Sequence, residues 1–528
     1  MTEDDSSPRQ PAVPRPAADS AEAAAQPAVP PPPADPAEAA GHPEEPAAPA
    51  HGGAATPAAT VATTTTETPG AYRFDRLGAV VAIGGALLAL IAAAAFVAVV
   101  RDDDDDLRIF GAINLVGIGI TLLAASAAVT VAAIVSARSN SRRTRFLACA
   151  IGGALVFVVP AILMALSVLL SVAVAWRGAL LSVPTTVFAL WTFRRMQRNR
   201  RPPWWLILVA FAWGLLVASY FSQMVEVMLH TVVTAEVPPG TATIIAHSAA
   251  AAFPEELVKG AGVAAVVLLA WRRVDGMLGG IVVGACVGLG FQFAESISYM
   301  TQNFDAVLYQ HWYRQVTGLL VSHATYTGII GAGVGLATQL NSWPRRVTCA
   351  ASGFAFAVAA HLVWDICAMG HFYWESDDPT IQLFVAQPVN LLVLKGPAFA
   401  VLLFLVVLAL RRETRSLHRQ LRAEAADPTG AVTPAEVSVL LDAPRRFMMR
   451  LHTLLWESPA AYRRIKRLHA AQLDLAFARW RRERGEPQPP STEEALRQLI
   501  LELKTEAPAP DAPSASRRGE RHPAQVAP

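Results

Sequence analysis

Charge is scarce in this chain. Asp, Glu, Lys and Arg make up 16% of its 528 residues, against roughly a quarter in ordinary soluble domains, while 53% are hydrophobic. Cysteine is scarcer still. The four cysteines, Cys149, Cys286, Cys349 and Cys367, fall in apolar runs without paired spacing, so they read as small core residues rather than a disulfide or zinc framework. No secretory signal is visible, because roughly 70 hydrophilic residues precede the first apolar run. Large aliphatic and aromatic residues are nearly missing from Met1 to Gly70, and such a segment cannot bury enough surface to fold. The formal net charge of +2 carries little information, since each sign is grouped locally.

What the chain has in abundance is long apolar runs. From Leu77 to Leu410, runs of about 20 residues follow one another, each long enough to cross a hydrocarbon core of roughly 30 Å. The expected architecture is an all-α, polytopic helical membrane protein with about ten transmembrane helices. It has a disordered Pro/Ala-rich tail over residues 1–70, accessory transmembrane helices over 77–202, a core over 203–410 and a basic helical tail with a disordered end over 411–528. The spans are placed at 77–100, 109–137, 146–167, 170–193, 203–227, 243–271, 276–298, 316–340, 347–369 and 389–410.

Arginine orients them. Alternate loops carry Arg138, Arg142, Arg143 and Arg145, then Arg194 to Arg201, Arg272 and Arg273, Arg345 and Arg346, and Arg411 and Arg412. The opposite loops carry "DDDDD" from Asp102, "TVVTAEVPPG" and "WESDD". The positive-inside rule therefore puts both termini in the cytoplasm of a plasma-membrane protein, and Trp204, Trp205, Trp271 and Trp343 fit an interfacial belt. In the tail, "TPAE" from Thr433 and "STEE" from Ser491 are capping-box starts. The stretch "YRRIKRLHAAQLDLAFARWRRERG" is basic and amphipathic, suited to anionic lipid, to a partner or to a solvated helical tail.

Ionisable residues inside the spans are the informative exceptions. "AAAAFPEELVKG" places Glu255, Glu256 and Lys259 within an apolar run, where each charge costs about 2.5–3.5 kcal/mol on insertion scales. "FQFAE" adds Phe291 and Glu295, "SHATYTG" adds His323 and Thr327, and "HLVWD" adds His361 and Asp365. Each of these pairs is spaced i, i+4 and shares a helical face. At about 1.5 Å per residue, Glu255 lies roughly 25 Å from Arg272 and His361 roughly 22 Å from Arg346, while His323 lies roughly 14 Å from Arg314 on the opposite side. All three heights fall in the outer half of the bilayer. Pro254 suits the first turn of a helix, so the sixth span is expected to break there, with Glu255 and Glu256 at a helix N-terminus. Lys395 and Arg177 lie outside the pattern, and either snorkelling or local pairing accounts for each. Taken singly, Lys259 with a glutamate is a structural salt bridge, and Phe291 is packing. Two to four carboxylates and two histidines at one depth exceed what helix association requires.

These motifs, in this order on successive spans, resemble the PrsW family of intramembrane proteases, related to the CAAX prenyl endopeptidases and bacteriocin-processing membrane proteases. The resemblance covers residues 203–410. It implies an intramembrane endopeptidase whose partners are a membrane-anchored protein substrate, typically an anti-sigma factor, and the lipid bilayer, with no nucleic acid. By the same resemblance Glu255 and Glu256 are the paired glutamates, Lys259 the basic residue after them, Glu295 the acid of the second motif, His323 the third motif, and His361 with Asp365 the last. Phe291 and Thr327 support them. Where the CAAX relatives carry His and Asn, Glu295 and Asp365 stand here.

Peptide hydrolysis needs an activated water, a stabilised oxyanion and a proton for the leaving amine. Glu255 is the first choice of base. Zinc on Glu295, His323 and His361 with an open fourth position is one arrangement, and a glutamate-activated water without an obligatory metal is the other and the slightly favoured one. There is no His-Glu-x-x-His helix, and Ala350 stands where a rhomboid-type Gly-x-Ser-Gly needs its first glycine. A proton- or cation-coupled transporter would also bury acids and histidines, but it should show repeated halves. A non-catalytic membrane scaffold is the other alternative.

Overall fold

A computed structural model describes residues 158, 161, 162 and 164–505, except 487, 488 and 490. The Pro/Ala-rich front, the first two expected spans, most of the third, the "DDDDD" loop and Cys149 lie outside the described residues. Among those described, every regular element is helical and no strand occurs.

The membrane part comprises α1 (Met164–Val174) and α2 (Trp176–Met196), α3 (Trp204–Glu236), α4 (Thr241–Leu269), α5 (Gly276–Gln302), α6 (His323–Ala337), α7 (Trp343–Met369), α8 (Pro379–Leu394) and α9 (Gly396–Ala425). Helices α3, α5 and α7 are each long and apolar enough to cross a bilayer. Two bent pairs, α1–α2 at 113° and α8–α9 at 57°, add up to two more spans. Helix α4 falls short on composition, since Glu255, Glu256 and Lys259 interrupt it. Helix α6 falls short on length, its 15 residues reaching only about 22 Å. Three to five spans are therefore supported among the described residues, rather than the seven expected there.

The sixth span is not broken. Helix α4 runs unbroken for 29 residues with Pro254 inside it. A proline in a helix interior removes one hydrogen bond and its ring crowds the carbonyl four residues back. Here Ala250, Ala251 and Ala252 are small and buried beside it, so neighbouring helices close around the defect. Glu255 and Glu256 consequently lie in mid-helix, and the helix-dipole argument for them falls. The eighth span differs too. Between α5 and α6 come a short helix (Val307–His311), a π-helical turn (Trp312–Thr317) and an irregular stretch, so the helical rise assumed between Arg314 and His323 does not apply.

Helices α5 and α6 meet backbone to backbone. A Cβ on Gly280 would lie 2.0 Å from the carbonyl oxygen of Gly331, one on Gly284 2.1 Å from that of Thr327, and one on Gly288 2.2 Å from that of His323. Glycine at every fourth position lets two membrane helices approach this closely. The seam holds the first turn of α6, and with it His323, against α5.

Beyond the membrane part lie α10 (Pro434–Leu441), α11 (Ala443–Trp456), α12 (Pro459–Glu483) and α13 (Thr492–Thr505). The capping box of Thr433 and Glu436 forms as expected. The basic amphipathic stretch is α12. Its apolar side, including Leu473, Phe477 and Trp480, packs on Leu417 and Leu421 of α9 and Val437 and Leu440 of α10. Asp275, the residue before α5, makes no capping bond with its side chain and instead pairs with Arg481 and, at 3.3 Å, with Arg200, tying α12 to the membrane part. Burial pushes the Glu424 carboxyl up, but Arg497, 2.8 Å away, and Arg479 outweigh it and hold the group below its usual range.

Two outcomes follow from this packing. Gly284→Val drives a branched side chain into the Thr327 carbonyl and is expected to lower the melting temperature of the solubilised chain by far more than Val→Gly at an exposed helix position; equal shifts would refute the seam. Because Glu424 is depressed in the folded state, its contribution is present above the unfolded carboxyl range and is lost as pH falls through the folded value. Glu424→Gln should therefore weaken docking of α12 and α13 at pH 7 and remove part of their acid sensitivity, as read by proteolysis of the tail across a pH series.

Candidate active site

Four helices bring the expected residues together. Glu255, Glu256 and Lys259 come from α4, Glu295 and Phe291 from α5, His323 from the first turn of α6, and His361 and Asp365 from α7. The ligand atoms of Glu255, Glu256, His323 and His361 lie within 4.8 Å of one another, and all four residues are buried.

Lys259 sits at the centre with no exposed surface. Its ammonium is 2.6 Å from Glu256 Oε1 and 3.0 Å from Glu255 Oε2, and it donates to His323 Nδ1 at 3.0 Å. It also lies 4.1 Å from the Phe291 ring centroid, which gives that phenylalanine a cation–π role besides packing. An ammonium has no acceptor, so His323 must present a lone pair at Nδ1 and carry its proton on Nε2. That Nε2 donates to Glu295 Oε2 at 2.7 Å, and the same oxygen is 3.1 Å from Arg314. Both nitrogens of His323 are thus committed.

The two glutamates have separate surroundings. Glu256 is fully buried, and its Oε1 accepts from Lys259 and lies 3.0 Å from His361 Nδ1. Its other oxygen, Oε2, has no protein partner. Glu255 instead stands on the wall of a cavity of about 1130 Å³, together with Glu295, His323, His361 and Asp365. Its Oε2 is 3.7 Å from His323 Nδ1 and 3.8 Å from His361 Nε2. The same His361 nitrogen is 3.6 Å from Asp365 Oδ2, an oxygen that itself lacks a hydrogen-bond partner. Tyr326 stacks on His361, with ring centroids 5.1 Å apart.

Thr327 is the exception among the expected residues. It does not line the cavity, its hydroxyl has no partner, and its carbonyl belongs to the α5–α6 seam. The i, i+4 spacing from His323 put it on the same face, but that face turns towards α5 one turn further on.

Three polar residues of the cavity were not among the expected site residues. Arg314 had marked a boundary, yet the π-helical turn carries it inward to Glu295. Lys395 is paired locally rather than snorkelling, with a hydroxyl and an aromatic ring as its partners. It is buried at the bend between α8 and α9, donates to Ser322 Oγ at 2.6 Å and lies 3.8 Å from the Trp364 ring centroid. Glu226 of α3 also lines the cavity. An ionisable residue among apolar ones was the available signal for Lys395 and for Glu226, which stands in the expected span 203–227, while nothing local in the sequence turns Arg314 inward.

The donor set differs from the expected Glu295, His323 and His361. Glu295 is engaged by Arg314 and by the outer nitrogen of His323, whereas Glu255 and Glu256 share the cluster with the two histidines. Two imidazoles and two carboxylates are ligand types that suit zinc, and the unpartnered Glu256 Oε2 leaves a free donor atom. These residues fit a metal, with one condition. The Lys259 ammonium bonds three of the four groups, so it and a bound cation compete for the same lone pairs.

Comparison with known proteins bears on the segment that carries this cluster. Residues 202–395 match the family described as PrsW family intramembrane metalloprotease, and the match supports a PrsW family intramembrane protease, a membrane-embedded peptide hydrolase. It contains every residue of the cluster and leaves residues 1–201 and 396–528 outside it. Neither curated proteins nor solved structures yield a match.

Titrating the purified full-length chain with Zn²⁺ separates the two donor sets. Glu256→Gln and His361→Ala are expected to abolish binding, and Glu295→Gln to weaken it by about 10–100-fold, as loss of a partner that orients a ligand does. Retained binding in Glu256→Gln with none in Glu295→Gln would restore the set of Glu295, His323 and His361.

Proposed function

We propose that this chain is an intramembrane endopeptidase that cuts a membrane-anchored protein, an anti-sigma factor being the substrate type that the resemblance implies. The observation carrying this reading is that Glu255 alone of the two glutamates opens on the cavity, with both histidines within 4 Å of its carboxylate. The family description supports hydrolysis; the division of labour among residues is our reading of the geometry.

Glu255 accepts a proton from water as the water oxygen bonds to the scissile carbonyl carbon. The carbon–nitrogen bond then breaks, and the same proton passes from Glu255 to the leaving amine. Glu295 and Arg314 hold His323 in one orientation through Nε2. Asp365 lies beside His361 Nε2, where it can orient the ring or hold a water. Lys395 adds positive charge on the cavity wall towards the developing oxyanion. Lys259 neutralises the two glutamates and keeps α4 in register with α6. Glu256, His323 and His361 would hold a divalent metal, which supplies Lewis-acid polarisation and an acidified water when bound, leaving Glu255 as base.

A transporter is the competing reading. It draws some support from the two bent helix pairs, but they bracket a single acid–histidine cluster rather than two related halves.

The test is a comparison of new N-termini in membrane-anchored proteins between cells expressing the natural chain and Glu255→Gln. Cleavage is expected to fall by at least about 10²–10⁴-fold, the span ascribed to general base catalysis, with unchanged protein abundance. Identical sets of fragments in both cells would remove the protease reading. The orientation is tested separately. A cysteine at Asp377 should react with an impermeant thiol reagent added to intact cells, and one at Arg412 should not; the reverse pattern inverts the topology.

A further inference from the structure

Helix α11 is built inside out. Arg446 and Thr453 are buried on one side, whereas Pro444, Phe447, Met448, Leu454 and Leu455 are exposed with Leu451 partly so. At 3.6 residues per turn these six fall within an arc of roughly 120°. Phe447, Met448 and Leu455 are 57%, 60% and 65% exposed, and Trp456 extends the patch at the helix end with 76%. A helix on a water-soluble bundle turns such an arc inward. Here the polar arc is inward, and among the described residues none covers the apolar arc.

Its position says what the arc meets. Arg446 donates to the Arg198 carbonyl and to Asn199 Oδ1, both at 3.0 Å, in the loop that joins α2 to α3. That loop marks a membrane boundary, since Arg194 lies over the Trp204 ring at 4.7 Å and both helices carry apolar side chains exposed along their flanks. Arg450 bonds His469 of α12 at 3.2 Å, fixing the helix by its polar side at two points. Arg445 on α11, and Arg463, Lys466 and Arg467 on α12, which packs against it, are exposed. Basic residues beside an exposed apolar arc are the pattern of a helix lying in an anionic membrane surface. A second copy of this chain would bring the same cations into opposition.

We infer that α11 is an interfacial helix: Phe447, Met448, Leu451, Leu454 and Leu455 enter the anionic leaflet on the arginine-rich side of the membrane, and Arg445, Arg463, Lys466 and Arg467 meet its phosphates. The tail is thereby held to the bilayer independently of its contacts with the membrane helices. This assignment does not depend on the protease reading.

The experiment uses the full chain in nanodiscs, with a nitroxide on Phe447→Cys, on Leu455→Cys or, as a control, on Arg463→Cys, after subtraction of the signal from the unsubstituted protein. In discs containing phosphatidylglycerol, the labels at 447 and 455 should be reached by oxygen and shielded from a water-soluble nickel chelate, while the label at 463 is reached by the chelate. Replacing phosphatidylglycerol with phosphatidylcholine should raise chelate access at 447 and 455. Full chelate access at both positions in anionic discs would overturn the inference. So would shielding that persists in detergent together with dipolar broadening between labels, because that pattern identifies a second copy as the occupant.

Discussion

A lysine with no exposed surface, bonded to two glutamates and a histidine, holds the core of this protein together. In an apolar surrounding, any one of these charges alone would cost several kcal/mol, and removing one partner from a buried set leaves the others uncompensated. The cluster is therefore assembled as a whole or not at all. Lys259 and the glutamates come from one helix, but the groups that complete their coordination come from α6 and α7, so neutralising charge and aligning three helices are a single event. The Phe291 ring caps the ammonium from α5 and brings in the fourth.

The same arrangement divides two residues that the sequence presents as twins. Glu255 and Glu256 are about 100° apart around α4, enough to turn one towards the cavity and the other towards His361 and the protein interior. A buried carboxylate with one unpartnered oxygen suits a ligand, and a cavity-facing one suits a base. Chemistry that requires both roles can thus be met by adjacent residues without a second motif.

Most of the site was legible in the order and spacing of four short motifs, because polar residues in apolar runs are costly and stand out. Glu255, Glu256, Glu295, His323, His361 and Asp365 were all visible in that way, and the structure brings them together. Three features were not. Pro254 pointed to a break that tertiary packing overrides, since small buried alanines close around the missing hydrogen bond. Arg314 looked like a boundary residue because the helical rise was assumed to continue through a stretch that is not α-helical. Thr327 shared a face with His323 by spacing alone, and the glycine seam took that face. The seam itself was written in "GGIVVGACVGLG", with Gly280, Gly284 and Gly288 at every fourth position, a signal of close helix approach rather than of chemistry.

That seam has a mechanical consequence. Where backbones touch, no side chain remains to change rotamer, so α5 and α6 move as one body carrying Glu295 and His323. Helix α4 meets them through longer contacts, of which the 3.0 Å bond from Lys259 to His323 is one. A shift of α4 by little more than that length parts the glutamates from His323 yet leaves its bond to Glu295 intact. Glu295 and His323 are thus the fixed jaw of a vice, and the Lys259 ammonium is one of the links that hold the glutamates of α4 against it.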